Sequence, residues 1–424
     1  MKITLHDYGG YEFIFELASY LAMQGDEITY IYSAAEAPKC TFNTKSARGA
    51  RLDVIPLMAG SRAPYESLLE RRRHERRYGK ALARILSRMA GDVVILTNTP
   101  LDVLAAAQPV IDRRKTKLIN WLQDIRGIAA KRILRKKIPL LGGLVGGHYL
   151  RLERRLVRAA DAIIIPSGDF VAEMNHAGYT LPPVFEHPNW MPVETLRPLP
   201  KDNAWSRKTG ITGTVNICYY GTLGFKQDLE SFLTVARYVS AHPKARFVIT
   251  ASGPAVENLD RALRKENLGN VILLPWQDYA SYTEMLASAD ILLSVSTDDA
   301  AAFSIPSKIL GYLCAGRPVL AVTPRGSPTA RQLVGNDMGV VAEPNDRAGL
   351  VAALDRMFGD GAMRKRFSRN ARAYAESNFA IGRQGKAFRS ILDTVCAGDA
   401  PDSVELGAAG TPADESVRRH RLAN

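Results

Sequence analysis

The chain is poor in the features that would make it a secreted, metal-binding or membrane-spanning protein. Its four cysteines, Cys40, Cys218, Cys314 and Cys396, lie far apart in 424 residues. None sits in a CxxC or metal-ligand spacing, which excludes a disulfide framework and fits a reducing, cytoplasmic compartment. No run of about 18 apolar residues occurs, so nothing reads as a membrane span. The apolar stretch Ile138–Leu150 is short and is broken by Gly142, Gly143, Gly146 and Gly147. The opening Met1-Lys2-Ile3-Thr4-Leu5 runs directly into a strand pattern, without the apolar core of a secretory leader. There is no Asp-x-Asp pair and no histidine cluster arranged for a metal. Carboxylates are also scarce: 43 Asp and Glu stand against 56 Lys and Arg, a net charge of +13.

What is present is an ordinary folded composition, 46% hydrophobic and 23% charged, long enough for two or three domains with separate cores. The positive charge is concentrated. Between residues 61 and 158 there are about 23 Lys and Arg against about 8 Asp and Glu. One cluster is Arg71, Arg72, Arg73, Arg76, Arg77, Lys80, Arg84 and Arg88. A second, Arg126, Lys131, Arg132, Arg135, Lys136 and Lys137, is interleaved with Ile128, Ile133, Leu134, Ile138, Leu140 and Leu141. Basic residues with apolar neighbours suit an anionic lipid surface. A solvated helix face gives the same pattern. Nucleic acid is disfavoured, because no nucleic-acid motif accompanies the charge.

Two series of short apolar runs alternate with helical patterns. The first is Ile3–Leu5, Glu27–Tyr32, Leu52–Pro56, Val93–Thr97, Lys117–Leu122 and Ala162–Pro166. The second is Val215–Tyr220, Arg246–Thr250, Val271–Pro275, Ile291–Val295, Val319–Val322 and Gly339–Ala342. Apolar strands separated by helices predict parallel sheets covered on both faces. Two sets predict an α/β protein of two doubly wound, Rossmann-like domains facing across a cleft. The domains expected are 1–195 and 205–375, joined through the proline-rich stretch from Pro188 to Lys208. A helix at 376–395 is expected to pack back on the first domain. A tail at 398–424, rich in Gly, Ala, Pro and Ser, is expected to be disordered.

In such folds ligands sit at the carboxyl ends of the strands. That rule selects His6-Asp7-Tyr8-Gly9-Gly10-Tyr11 in the first domain. In the second it selects Gly221-Thr222-Leu223-Gly224-Phe225-Lys226-Gln227, Ala251-Ser252-Gly253-Pro254, Pro275-Trp276-Gln277 and Ser296-Thr297-Asp298-Asp299. Most informative is Pro306-Ser307-Lys308, followed by a short helix, the stop at Gly316 and the strand at Val319. A hydroxyl and an ammonium at a helix start favour a phosphate, although an ordinary strand-loop-helix reads alike. Any single glycine turn is weak, since such turns often carry glycine for steric reasons. Their recurrence at successive strand ends is the stronger signal.

The chain resembles the retaining glycosyltransferases of GT-B fold that build bacterial exopolysaccharide, O-antigen and colanic-acid-type polymers. The resemblance runs from Met1 to about residue 390. It is carried by His6 to Gly10 with Leu17 to Thr29, Trp121-Leu122-Gln123-Asp124-Ile125, Val184 to Trp190, Tyr220 to Gly224, Gly253-Pro254, Ala287 to Ile291, and Pro306 through Val319. It implies transfer from a nucleotide diphosphate sugar, UDP-linked, to a polyprenyl-diphosphate-linked saccharide, without metal or cofactor. The protein would then be peripheral on the inner face of the cytoplasmic membrane.

Carried over by position, Lys308 and Lys226 neutralise the leaving diphosphate, held also by Gly221, Thr222, Gly253 and Ser307. Pro275, Trp276 and Gln277 hold the base. Gly9, Gly10 and Tyr11 line the reacting centre, and Asp124 orients acceptor or sugar, with structural capping as the other role for it. Arg132, Arg135, Lys136 and Lys137 face the membrane. The chain departs from the family at Phe303 and Gly311, where a Glu-x7-Glu pair is usual; Asp298 or Asp299 is placed to replace the first. Thr222 stands where Arg is frequent, Lys226 comes one residue early, and Gln123 replaces a His before Asp124. A nucleotide-sugar epimerase or hydrolase of the same fold, and a catalytically weak scaffold at the membrane, are the other functions the pattern admits.

Overall fold

The structure is a computed structural model and describes residues 1–36, 49–60, 68–89, 91–137, 139–224, 227–301, 305–398 and 405–406. Two parallel sheets form its core. The first takes β1 (Lys2–Asp7), β2 (Glu27–Ser33), β3 (Leu52–Leu57), β4 (Val93–Thr97), β5 (Lys117–Trp121), β6 (Ala162–Ile165) and β7 (Val184–Glu186). The second takes β8 (Val215–Thr222), β9 (Ala245–Ser252), β10 (Val271–Leu274), β11 (Ile291–Val295), β12 (Val319–Val322) and β13 (Gly339–Ala342). A two-residue strand, β14 (Glu405–Leu406), pairs in parallel with β7 and so departs from the structureless tail expected there. The remainder of the tail, 399–404 and 407–424, lies outside the described residues.

The spatial orders are β14-β7-β6-β5-β4-β1-β2-β3 and β10-β9-β8-β11-β12-β13. Each order reverses once, between β1 and β4 and between β8 and β11. Those reversals are the switch points at which adjoining loops splay apart and leave a crevice. The twelve apolar runs all fold as strands, because both faces of each sheet are covered. All five side chains of β4 and of β11 are buried. Edge strands are covered less: Asp53 and Pro56 of β3 are exposed, and all four side chains of β10 are half-buried, as edge positions tolerate.

The sequence pattern misses β7, a three-residue strand beside Pro182 and Pro183 that offers too little apolar run to read. It also misreads part of the joining stretch. Trp190 is fully buried, Val193 and Leu196 nearly so. The Trp190 ring lies edge-on to Phe13 at 5.0 Å and its Nε1 donates to Glu16 at 2.8 Å. Its polarity is thus satisfied inside the core, and truncation to alanine would cost about 3–5 kcal/mol. The last helix, Ile381–Ala397, lies on the first domain. Phe388 packs on Trp121 at 5.0 Å and on His187 at 5.3 Å, Arg389 pairs with Asp26, and Gly385 sits against the Tyr20 ring.

Candidate active site

At the second switch point β8 and β11 register only through Ile217–Ile291 and Cys218–Leu292. Beyond that the strands part, and the Tyr312 hydroxyl bridges the opening. It accepts from the Tyr220 amide at 3.2 Å and reaches the Leu293 carbonyl at 3.2 Å. Gly221 follows at φ +150°, a region that side chains rarely adopt, and a Cβ there would lie 2.8 Å from Lys308 Nζ. The glycine therefore lets the lysine cross the mouth of the crevice. Lys308 Nζ donates to the Tyr219 hydroxyl at 2.6 Å and lies 3.9 Å from that ring's centre. The same hydroxyl donates to the Thr222 carbonyl at 3.0 Å. No carboxylate pairs with Lys308 among the described residues, and burial pulls its amine down to about 7. An ammonium desolvated without a counter-charge regains what burial took from it when an anion arrives.

Neighbouring strand ends complete the pocket. Gly253, at φ +114°, allows the end of β9 to touch the turn at Thr222 and Leu223, and the Leu223 amide donates to Ser252 at 2.7 Å. Trp276 is 49% exposed and its ring meets Tyr220 at 4.4 Å. Tyr220 in turn meets buried Tyr282 at 4.4 Å. This aromatic shelf beside the crevice suits a planar base.

Not every expected residue joins the site. The Gln277 amide turns back on the Pro275 carbonyl at 2.7 Å. Ser307 is exposed and makes no capping bond, and the helix runs from Lys308 to Cys314. Asp298 opens the helix Asp298–Ala301. Lys226, Phe303 and the side chain of Asp299 lie outside the described residues. Tyr219 and Tyr282 were missed altogether, and Tyr220 and Tyr312, although they lie in the motifs, were given no place in the site; all four read in sequence as ordinary strand and helix residues.

At the first switch point Asp7 is buried beneath the loop it holds. It accepts from the Gly9 amide at 3.0 Å, the Tyr11 amide at 2.5 Å and the Tyr30 hydroxyl at 3.0 Å. Burial still pushes its carboxyl up to about 7, against those bonds. Gly9 lies closely under two side chains: a Cβ there would lie 2.5 Å from Asn98 Nδ2 and would push it or Tyr11 aside. Asn98 adopts a left-handed φ of 52°. Gln123 accepts from the Asn189 side chain at 2.5 Å, and half-buried Asp124 follows it.

The basic clusters are only partly available to solvent. Arg72 and Arg76 converge on buried Asp102, and Arg71 pairs with Glu75. Arg132 was expected to face outward but pairs with Glu173 at 2.8 Å and is half-buried. Arg135 is exposed, while the side chains of Lys136 and Lys137 lie outside the described residues. The helices Arg126–Lys137 and Pro139–Arg158 pack closely through Gly142 and Gly146, the latter 2.6 Å from Lys131 in virtual Cβ contact. That packing leaves Leu141 at 64%, Leu144 at 71% and Val145 at 44% exposure. No described helix is long and apolar enough to cross a membrane.

Residues 201–374 match the family of glycosyl transferases group 1. A probable glycosyltransferase of Pseudomonas aeruginosa, WbjE, is 20% identical over 274 residues, covering 63% of this chain and 66% of that relative. Among solved structures, sucrose-phosphate synthase of Thermosynechococcus elongatus superposes with a TM-score of 0.73 at 13% identity, covering 94% of this chain and all of that one. HepE of Anabaena, in complex with UDP-glucose, superposes with a TM-score of 0.70 at 13% identity, covering 93% and 100%. At such identities these structures establish the fold. The protein thus has the GT-B fold, and residues 201–374 of its second domain are similar to the glycosyl transferases group 1.

Proposed function

We propose that this protein transfers a sugar from a UDP-linked donor to a hydroxyl of a lipid-linked saccharide, with retention at the anomeric carbon. The observation that carries the reading is Lys308, held across Gly221 without a carboxylate partner at the switch point of the group 1 domain. As the bond from the anomeric carbon to the β-phosphate oxygen breaks, charge gathers on the diphosphate, and a nearby ammonium stabilises it most at that stage. Trp276 is suited to cover the base. In this reading the Lys308 ammonium does the neutralising.

The lipid-linked acceptor is supported by the exposed Leu141, Leu144 and Val145 beside Arg135. Apolar side chains next to a cation suit the boundary of an anionic bilayer. Gly311, which lacks the carboxylate usual there, favours the second reading of a sugar-nucleotide-binding scaffold. The test is transfer of radiolabelled sugar from nucleotide sugars to polyprenyl-diphosphate saccharides in membrane extracts. Labelled lipid product supports the transferase. No turnover with any UDP-sugar, with nucleotide binding intact, would leave the scaffold.

A further inference from the structure

We propose that Arg126 is the group through which the first domain recognises a phosphate carried by the acceptor, a role that rests on the transferase reading above. Arg126 follows β5 and leans over the first switch point. Its Nη2 donates to two oxygens of Asn98, the main-chain carbonyl at 3.0 Å and Oδ1 at 2.7 Å. Both Asn98 oxygens thus face the same guanidinium nitrogen, with the Asn98 backbone in the left-handed region. Tyr11 bonds the Asn98 side chain and senses the charges of Arg126 and Asp124. Gly9, Tyr11, Asn98 and Arg126 therefore form one cluster at the mouth of the first sheet.

The helix that begins at Arg126 is not itself the anion site. Its first amides, on Arg126 and Gly127, already donate to buried Glu153 at 2.9 and 2.8 Å. What remains is the guanidinium. Its two Asn98 partners are neutral oxygens on a single nitrogen, while its charge is felt by the buried Glu153 carboxylate, whose own bonds go to the helix amides and to Tyr179. Arg132 on the same helix, by contrast, is neutralised by Glu173. An arginine fixed through one nitrogen keeps its other N–H groups for a bidentate bond, which phosphate oxygens match. The donor diphosphate is assigned to Lys308 on the opposite sheet, so the anion facing Arg126 belongs to the acceptor.

The test is titration of the whole protein with farnesyl diphosphate, farnesol, inorganic pyrophosphate and UDP, each alone and then in competition. Wild type should prefer farnesyl diphosphate to farnesol by about tenfold or more. Arg126→Gln should erase that preference and leave UDP affinity within about twofold. Asn98→Ala, which removes one anchoring oxygen, and Arg126→Lys, which keeps charge but not the fork, should each retain part of it. These two milder variants decide the matter if Arg126→Gln fails to fold by circular dichroism. An undiminished preference in the variants would overturn the assignment. So would pyrophosphate displacing UDP and farnesyl diphosphate together, since the guanidinium would then serve the donor. Failure of the transferase reading would look different: the lipid-diphosphate preference would stand while no nucleotide sugar turned over.

Discussion

The hydroxyl of Tyr282 occupies the space that a side chain on Gly311 would need. Tyr282 is buried, its ring is fixed against Tyr220, and Gly311 sits in the helix Lys308–Cys314 that also carries Lys308. The missing carboxylate at 311 is thus the counterpart of a tyrosine brought in from another helix.

Gly311→Ala should therefore destabilise the protein by about 1–3 kcal/mol through overpacking. Combining it with Tyr282→Phe should recover part of that loss, because the clashing oxygen is gone. Thermal unfolding of the two single variants and the double variant gives the coupling. Strict additivity would mean that the two residues do not share the space.

Lys308→Met should abolish sugar transfer or lower it by at least about tenfold, yet raise thermal stability near neutral pH. The amine falls from 10.5 in the unfolded chain to about 7 in the folded one. Below pH 7 both states hold the proton, and the folded state bears the full penalty of burying it. Between about 7 and 10.5 the unfolded state holds more protons, so wild-type stability rises with pH. The stability gap between the variant and wild type should be widest at pH 7 or below and close toward 10.5. Unfolding curves across that range would refute this if the gap widened with pH.

Trp276 should report the nucleotide. UDP is expected to quench its fluorescence, and Trp276→Ala should weaken UDP binding by about 1–3 kcal/mol, the usual worth of a base stacked on an aromatic ring. Unchanged affinity in the alanine variant would remove the shelf from the donor site.

Leu141→Ser, Leu144→Ser and Val145→Ser together should release the protein from anionic liposomes in co-sedimentation. Arg135→Gln should weaken the same association and make it less sensitive to salt, because one of the screened charges is gone. Arg132→Gln should chiefly lower stability, because Glu173 loses its partner. If Arg132→Gln releases the protein while Arg135→Gln does not, the lipid-facing side has been wrongly chosen.

The two sheets were legible because apolar β-branched runs alternate with helices, and the strand-end rule then pointed to Gly9, Gly221, Gly253 and Lys308. The chemistry around these residues was much less legible. Lys308 meets Tyr219 across 89 positions, and Arg126 meets Asn98 across 28. No local pattern encodes either pair. Gly311 shows the limit most clearly. A glycine in sequence reads as an absence, and only the packing of Tyr282 reveals what stands in its place. Arg132 shows another limit: a charge run looks the same whether its members face solvent or pair with a residue such as Glu173.

The helix Ile381–Ala397 has a practical consequence for anyone exchanging parts between such proteins. The first domain is completed by a piece that follows the second domain in the chain, with Phe388 seated on Trp121 and Arg389 on Asp26. A chimaera cut once, in the joining stretch near Pro198, would couple a foreign final helix to this chain's first sheet. Swapping the donor half alone calls for two junctions, the second near Ala380, so that residues 381–397 stay with the half they complete.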